Sequence, residues 1–243
     1  MALSNMNFSN HEEKEEFVQG VFSSISNQYD LMNTVLSFNQ DKFWRKFAIK
    51  RLRTRPNDRL LDVACGTGML TIEALRRQPT AHVEALDFNQ AMLNKGVQRF
   101  SEAGVLDRVH PVQGDAMDLP YEDNSFDGAM SAFALRNVPD VETVLREMYR
   151  VVKRGRRVVT LELAKPTDPL FKKAYYAYFE KILPVLGRFS RDNSAYSWLP
   201  ESLRRYPHQS KIQELYTKIG FQDATYYELS GGIVAVHVGI VGE

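Results

Sequence analysis

Apolar positions recur at helical spacing through residues 11 to 53: Phe17, Val21, Phe22 and Ile25 share one stripe, and Phe43, Phe47 and Ile49 repeat it. These positions predict an N-terminal helical cap. From Arg59 the pattern changes to short β-branched runs alternating with longer amphipathic segments, as βαβ units around a parallel sheet require. The candidate strands are RLLDVA, HVEALDF, RVHPVQG, FDGAMSAF and RRVVTLELA, with helices near 69–77, 90–103 and 140–153. Beyond Lys165-Pro166, DPLFKKAYYAYFEKILPVLG reads as an aromatic helix with Tyr175, Tyr178, Phe179 and Ile182 on one face. A further helix ends near Ile219-Gly220. The runs FQDATYYELS and GIVAVHVGIV, joined by Gly231-Gly232, read as a terminal hairpin whose last strand is antiparallel. The expected fold is α/β, with a mostly parallel seven-stranded sheet in one domain. Residues 1–56 form the cap, 57–165 the core, and 166–243 the later helices and hairpin.

Composition narrows the classes. Hydrophobic residues at 44% and charged residues at 25% match an ordinary globular chain, and 243 residues suffice to bury a large core without staples. The single cysteine, Cys65, excludes an intrachain disulfide and any zinc site built from several thiolates, so no metal is expected. The polar, acidic N-terminus does not read as a secretory signal, and GGIVAVHVGIV falls short of the roughly 20 residues that span a bilayer. A cytoplasmic location is expected. A formal net charge of +1 gives no general attraction to nucleic acid, so no nucleic-acid partner is expected. The basic run KRLRTRP reads as the solvated end of a helix stopped by Pro56.

The strongest local chemistry is LLDVACGTG, a strand running into a turn with Gly66 and Gly68, where small residues let backbone approach a ligand. Asp87 ends the next strand, about 20 residues after Gly66, the spacing at which an acid reaches a ribose diol. Alone it would read as a helix N-cap. A dinucleotide is disfavoured because Thr71 stands where the third glycine of GxGxxG would be. In QGDAMDLPYEDNSFD, Asp115 and Ala116 follow the third strand, where Asp115 is placed to accept from an adenine amino group.

Glycine turn, ribose acid and adenine acid after strands one, two and three resemble the class I S-adenosylmethionine methyltransferases over residues 59 to 163, which implies a Rossmann-like fold with S-adenosyl-L-methionine as cofactor. Ala64 replaces the first glycine of their motif. Over residues 17 to 240, NQYDLMNTVLSF, WRKF, FALRNVPD, LREMYRVVKRG, YSWLPESLRRYP and GGIVAVHVG are similar to the quinone-biosynthesis C-methyltransferases, which methylate demethylmenaquinol or its benzoquinol counterpart. YSWLPES is closer to the menaquinone branch. The resemblance assigns Thr67, Asp87, Asp115-Ala116 and Ser131 to the cofactor site, with Asp62, Gly66 and Gly68 shaping the turn. Two departures stand out: KRGRR replaces a Lys-Pro-Gly-Gly turn, which could weaken the start of strand five, and Met69 stands where an acid is common.

The resemblance implies a polyprenyl quinol as substrate, with peripheral association at the membrane inner face and a homodimer as further partner expectations. Arg136, after the fourth strand, is the expected phenolate stabiliser, with Asn137 beside it; as a plain turn, the pair would instead be held by Asn and closed by Pro139. Tyr29, Asp30 and Asn33 are expected to close over the donor, and Tyr29 or His237 to relay the proton; a hydrogen-bonded core histidine is the plain alternative. The aromatic helix would line a channel for the prenyl tail or rest on the membrane, with Lys172, Lys173, Lys181 and Arg188 facing anionic lipid. Competing readings are a methyltransferase for a ubiquinol precursor or another small phenol, and a non-catalytic binding module.

Overall fold

Seven strands form one sheet in the order β3-β2-β1-β4-β5-β7-β6 in a computed structural model that describes residues 11–25, 29–177 and 194–242. They are β1 (Arg59–Val63), β2 (His82–Asp87), β3 (Val109–Gln113), β4 (Phe126–Ala132), β5 (Val152–Leu163), β6 (Gln222–Leu229) and β7 (Val234–Ile240). β1 to β5 run parallel, and β7 inserts antiparallel between β5 and β6. The central strands read as continuous apolar runs because both sheet faces are covered: Leu60, Leu61 and Val63 are fully buried.

One face packs on α3 (Asp41–Leu52), α4 (Met69–Arg77) and α5 (Gln90–Glu102) through Trp44, Ile49, Leu75 and Phe100. The other packs on α6 (Val141–Val151) and the helix Gln209–Ile219 through Met148, Ile212 and Tyr216. Helices α1 (His11–Ile25), α2 (Tyr29–Leu36), α7 (Pro169–Ala177) and α8 (Ser194–Arg205) gather above the carboxyl ends of the strands, and Gln209–Ile219 is α9. No helix among the described residues is long and apolar enough to cross a membrane.

Three expectations change. Helix α3, grouped by its sequence with the cap, buries Trp44, Ala48, Ile49 and Leu52 against the sheet. It ends at Leu52 through Arg53 in left-handed conformation, ahead of Pro56. Its basic end is only partly solvated, since the Arg51 guanidinium lies over the Phe47 and Tyr227 rings at 4.6 and 4.1 Å. Strand β5 begins at Val152, directly out of α6, with Phe126 paired to Val152 and Gly128 to Arg157, so Lys153–Arg156 bulge. The bulge is pinned rather than weak: Lys153 Nζ pairs with Asp127 at 2.9 Å, Arg156 Nε donates to the Asp127 carbonyl at 2.6 Å, and Arg156 also pairs with Asp58.

His237 is a hydrogen-bonded core residue, the plain alternative to a proton relay. It lies on β7 between Thr160 and Tyr226, and its Nε2 donates to the Gln209 carbonyl at 2.8 Å. It lines neither cavity described below. Burial pushes its pKa down to about 4, which keeps it neutral at physiological pH.

Candidate active site

The strand order reverses between β1 and β4, and in such sheets ligands bind beyond the carboxyl ends of the strands at that point. A cleft of about 1060 Å³, open to solvent, lies there, with Asp62, Gly66, Thr67, Asp87, Asp115 and Ala116 in its walls. The sequence places these six in one site because each sits where a strand ends and a turn begins. Ala64 and Gly66 take left-handed conformations (φ 54° and 57°), which turns the chain sharply out of β1.

Asp87 is held from both sides. Its Oδ2 accepts from the Gly66 amide at 2.7 Å and its Oδ1 from the Asn89 amide at 2.8 Å. Each carboxylate oxygen keeps further acceptor capacity, which suits the vicinal hydroxyls of a ribose. Burial raises its pKa to about 6, against the two backbone hydrogen bonds that lower it. Asp62 is pushed to about 7, by burial first and by the charge of Asp87 further, while the Thr71 hydroxyl opposes this by donating at 2.6 Å. Thr71 thus supports the carboxyl behind the glycine turn. The other Asp62 oxygen is buried with no side-chain partner among the described residues. Asp115 Oδ1 accepts from the Met117 amide at 2.8 Å, which fixes the turn after β3.

Gly68 and Ser131 do not line the cleft. Gly68 stands at the start of α4 with φ 77°, and a Cβ there would come within 2.1 Å of the Phe100 ring, so its smallness serves helix packing. Ser131 is buried in β4 behind Ala132, Phe133 and Ala134, which do line the cleft, and its Oγ has no partner among the described residues.

Among the described side chains, the cover over this cleft comes from α1. Val18, Gln19 and Phe22 face it. Asn89 ties the cover to the floor: it caps α5 by accepting from the Met92 amide and donates to the Gln19 carbonyl and the Ser23 hydroxyl at 3.1 and 2.8 Å. Lys14 adds a hydrogen bond to the Val138 carbonyl. Asn33 of α2 lines a second cavity instead, and the side chains of Tyr29 and Asp30 lie outside the described residues.

That second cavity, about 1110 Å³ of space that is partly open to solvent, adjoins the first, and Phe133 belongs to both walls. Leu36, Trp44, Leu163, Tyr175, Leu199 and Ile233 make it apolar, and Asn33, Ser37, Asp41 and Arg136 are its polar members. Arg136 is buried, and its Nη1 donates to Glu162 Oε1 and to the Phe133 carbonyl at 2.6 and 2.7 Å. Glu162 also accepts from the Arg136 and Leu163 amides, so the pair is built into the β4 and β5 ends. Asn137 lines the donor-side cleft, accepts from Trp198 Nε1 at 2.9 Å and donates to the Phe133 carbonyl at 3.2 Å. Sequence motifs did not single out Asp41, Arg45, Asn89, Phe133 and Glu162 as site residues. Only Asn89 carried a signal, as an N-cap type directly before an amphipathic helix.

The fold and the cleft are of the kind found in class I S-adenosylmethionine-dependent methyltransferases: a glycine turn, a doubly held Asp87 and Asp115 at the strand ends, opening beside an apolar cavity. Among solved structures, the [4+2]-cyclase SpnF aligns at TM-score 0.70 and 19% identity, covering 93% of this chain and 97% of its own. A SAM dependent methyltransferase from Aquifex aeolicus aligns at 0.60 and 15%, covering 81% and 89%. A cyclase on this fold means that fold alone does not fix the reaction. Sequence does so more closely, for the chain belongs to the ubiE/COQ5 methyltransferase family, whose model matches residues 10–241. It is 43% identical to a demethylmenaquinone methyltransferase of Alkalihalophilus pseudofirmus, covering 95% of this chain and 98% of the relative. It is 40% identical to a ubiquinone/menaquinone biosynthesis C-methyltransferase UbiE of Geotalea daltonii, covering 93% and 97%.

Proposed function

We propose that this chain methylates a ring carbon of demethylmenaquinol, with the second cavity receiving the quinol ring and the first part of its prenyl tail. The observation that carries this reading is the apolar cavity that shares Phe133 with the donor cleft and presents Arg136 at its wall. The names of the relatives at 40% to 43% identity agree with it. When bound, S-adenosylmethionine supplies an electrophilic methyl group on sulfur.

Carbon attack needs a phenolate, which drives electron density to the ortho carbon. A phenol of pKa near 10 is only ~0.1% ionised at pH 7, so forming the phenolate accounts for about 4 kcal/mol of barrier. Arg136 lowers that cost by placing its guanidinium near the developing oxyanion. Glu162 and the Phe133 carbonyl hold the guanidinium in one orientation, and the buried pair spares the free enzyme an uncompensated charge. Asn137 positions the loop between the cavities. Tyr29, which opens α2, remains the proposed proton acceptor. Phe133 lies between the two cavities, where it limits the approach of ring and methyl group to one direction.

The prenyl tail leaves along Leu199, Tyr175 and Phe171. Phe38, 78% exposed, and Phe171, 44% exposed, stand at this cavity with Lys172 and Lys173 exposed nearby, an arrangement suited to the inner face of a membrane. Tyr178, Phe179, Ile182, Lys181 and Arg188 lie outside the described residues.

Purified protein, the donor and a chemically reduced short-chain demethylmenaquinone test the reading by mass spectrometry. A product heavier by one methylene, formed only with reductant, supports it. Donor binding without product would move the acceptor to another small phenol.

A further inference from the structure

Phe133, the residue shared by the two cavities, stands in left-handed backbone conformation at φ 59°, which a bulky side chain keeps only where its surroundings hold it. Its amide donates to the Leu161 carbonyl at 2.8 Å, which ties it to β5. Its carbonyl is held twice, by Arg136 Nη1 at 2.7 Å and by Asn137 Nδ2 at 3.2 Å. The guanidinium and the ring that divides the cavities therefore share one anchor, and the Asn137 amide is half of it.

An amide side chain can turn either its oxygen or its nitrogen toward a neighbour, so a further contact must decide which way Asn137 faces. Trp198 makes that choice. Its indole N–H can only donate, and at 2.9 Å it takes the Asn137 oxygen, which leaves the Asn137 nitrogen for the Phe133 carbonyl. A phenylalanine would fill much of the same space and leave the amide undirected. Trp198 is buried at 3% exposure, and Phe17 of α1 meets its ring edge-on at 5.5 Å, so the same indole touches the helix that covers the donor cleft. Lys14 of α1 donates to the carbonyl of Val138, directly after Asn137, which brings the cover onto this loop a second time. On the other side Leu199, next to Trp198 in α8, lines the acceptor cavity.

We propose that Trp198 is a positioning residue for methyl transfer: acting through Asn137, it holds Phe133 and the Arg136 guanidinium in place under the donor cover. This rests on the reading of the second cavity as the quinol site. The test is a double-mutant cycle on methyl transfer to reduced short-chain demethylmenaquinone, with Trp198→Phe, Asn137→Ala and both together, and thermal unfolding measured alongside. Trp198→Phe keeps a ring against Phe17 and loses the indole N–H. Its kcat should fall roughly 10- to 100-fold with KM for the donor within about threefold, the pattern of a misplaced reacting group rather than of lost donor binding. The double variant should turn over within about twofold of Asn137→Ala alone, because both changes break one chain of contacts. Should Trp198→Phe fail to fold, benzothienylalanine incorporated at position 198, which replaces the N–H by sulfur at nearly unchanged shape, takes its place in the cycle. A folded variant with kcat within about twofold of wild type, or losses that multiply in the double variant, overturns the proposal. Absence of turnover in wild type would instead overturn the quinol reading on which it rests.

Discussion

Asp87 gives donor binding a pH dependence that can be worked out from its surroundings. Burial raises its pKa to about 6 in the donor-free protein, and ribose hydroxyls need an ionised acceptor. The sign follows: acid protonates Asp87, removes acceptor capacity and weakens binding, while alkali above pH 7 changes little. At pH 5 roughly a tenth of the protein carries the ionised form, so the apparent donor Kd should be about tenfold weaker than at pH 8, and about twofold weaker at pH 6. Calorimetric titration with S-adenosylhomocysteine across pH 5 to 8 measures this directly. Asp87→Asn should bind roughly 10- to 100-fold more weakly and lose the acid limb, because the neutral amide cannot titrate. Asp62, at about 7, titrates in the same range, and the series in Asp62→Asn separates the two. A flat profile in wild type, or an acid limb that survives Asp87→Asn, would refute the assignment of Asp87 to the ribose.

Four further outcomes follow from packing and charge. Ala64 sits at φ 54°, so Ala64→Gly should raise stability by about 1 kcal/mol, read as a Tm increase of roughly 2–4 °C. Gly68→Ala drives a Cβ into Phe100 and should cost about 2 kcal/mol or more in denaturant unfolding, with relief from Phe100→Leu. Arg136→Met strands Glu162 and should destabilise by about 3–5 kcal/mol; Arg136→Met/Glu162→Leu should regain stability without regaining turnover, which separates the structural from the catalytic role. His237→Leu should lower Tm yet leave kcat within about twofold, since the ring faces the core; a collapse of kcat in a folded variant would return it to the mechanism.

The strands were legible because parallel strands covered on both faces must be apolar throughout, and their ends were legible because Asp87 and Gly114 interrupt those runs. Helices α4, α5 and α6 announced themselves through amphipathic spacing. The start of β5 was hidden because Lys153 to Arg157 reads as a polar turn, and only pairing with Asp127 shows why so much charge belongs in a bulge. Site residues adjoining the glycine turn could be found from spacing along one strand edge. Glu162 could not, for within TLELA it looks like any alternate polar position, and its partner Arg136 is distant in sequence. Asp41 and Arg45 were equally silent: an i, i+4 pair on a charged helix normally faces water, and only the packing of α3 on the sheet turns it inward.

The central claim, methyl transfer to carbon on a reduced naphthoquinol ring, is tested most directly with donor carrying a deuterated methyl group. The protein is given reduced short-chain demethylmenaquinone and, separately, the demethylated benzoquinol, and the products are read by mass spectrometry and proton NMR. The label should appear on the ring carbon of the naphthoquinone, more rapidly than on the benzoquinone, and not at all without reductant. Label on oxygen, preference for the benzoquinol, or equal turnover of the oxidised quinone would contradict it.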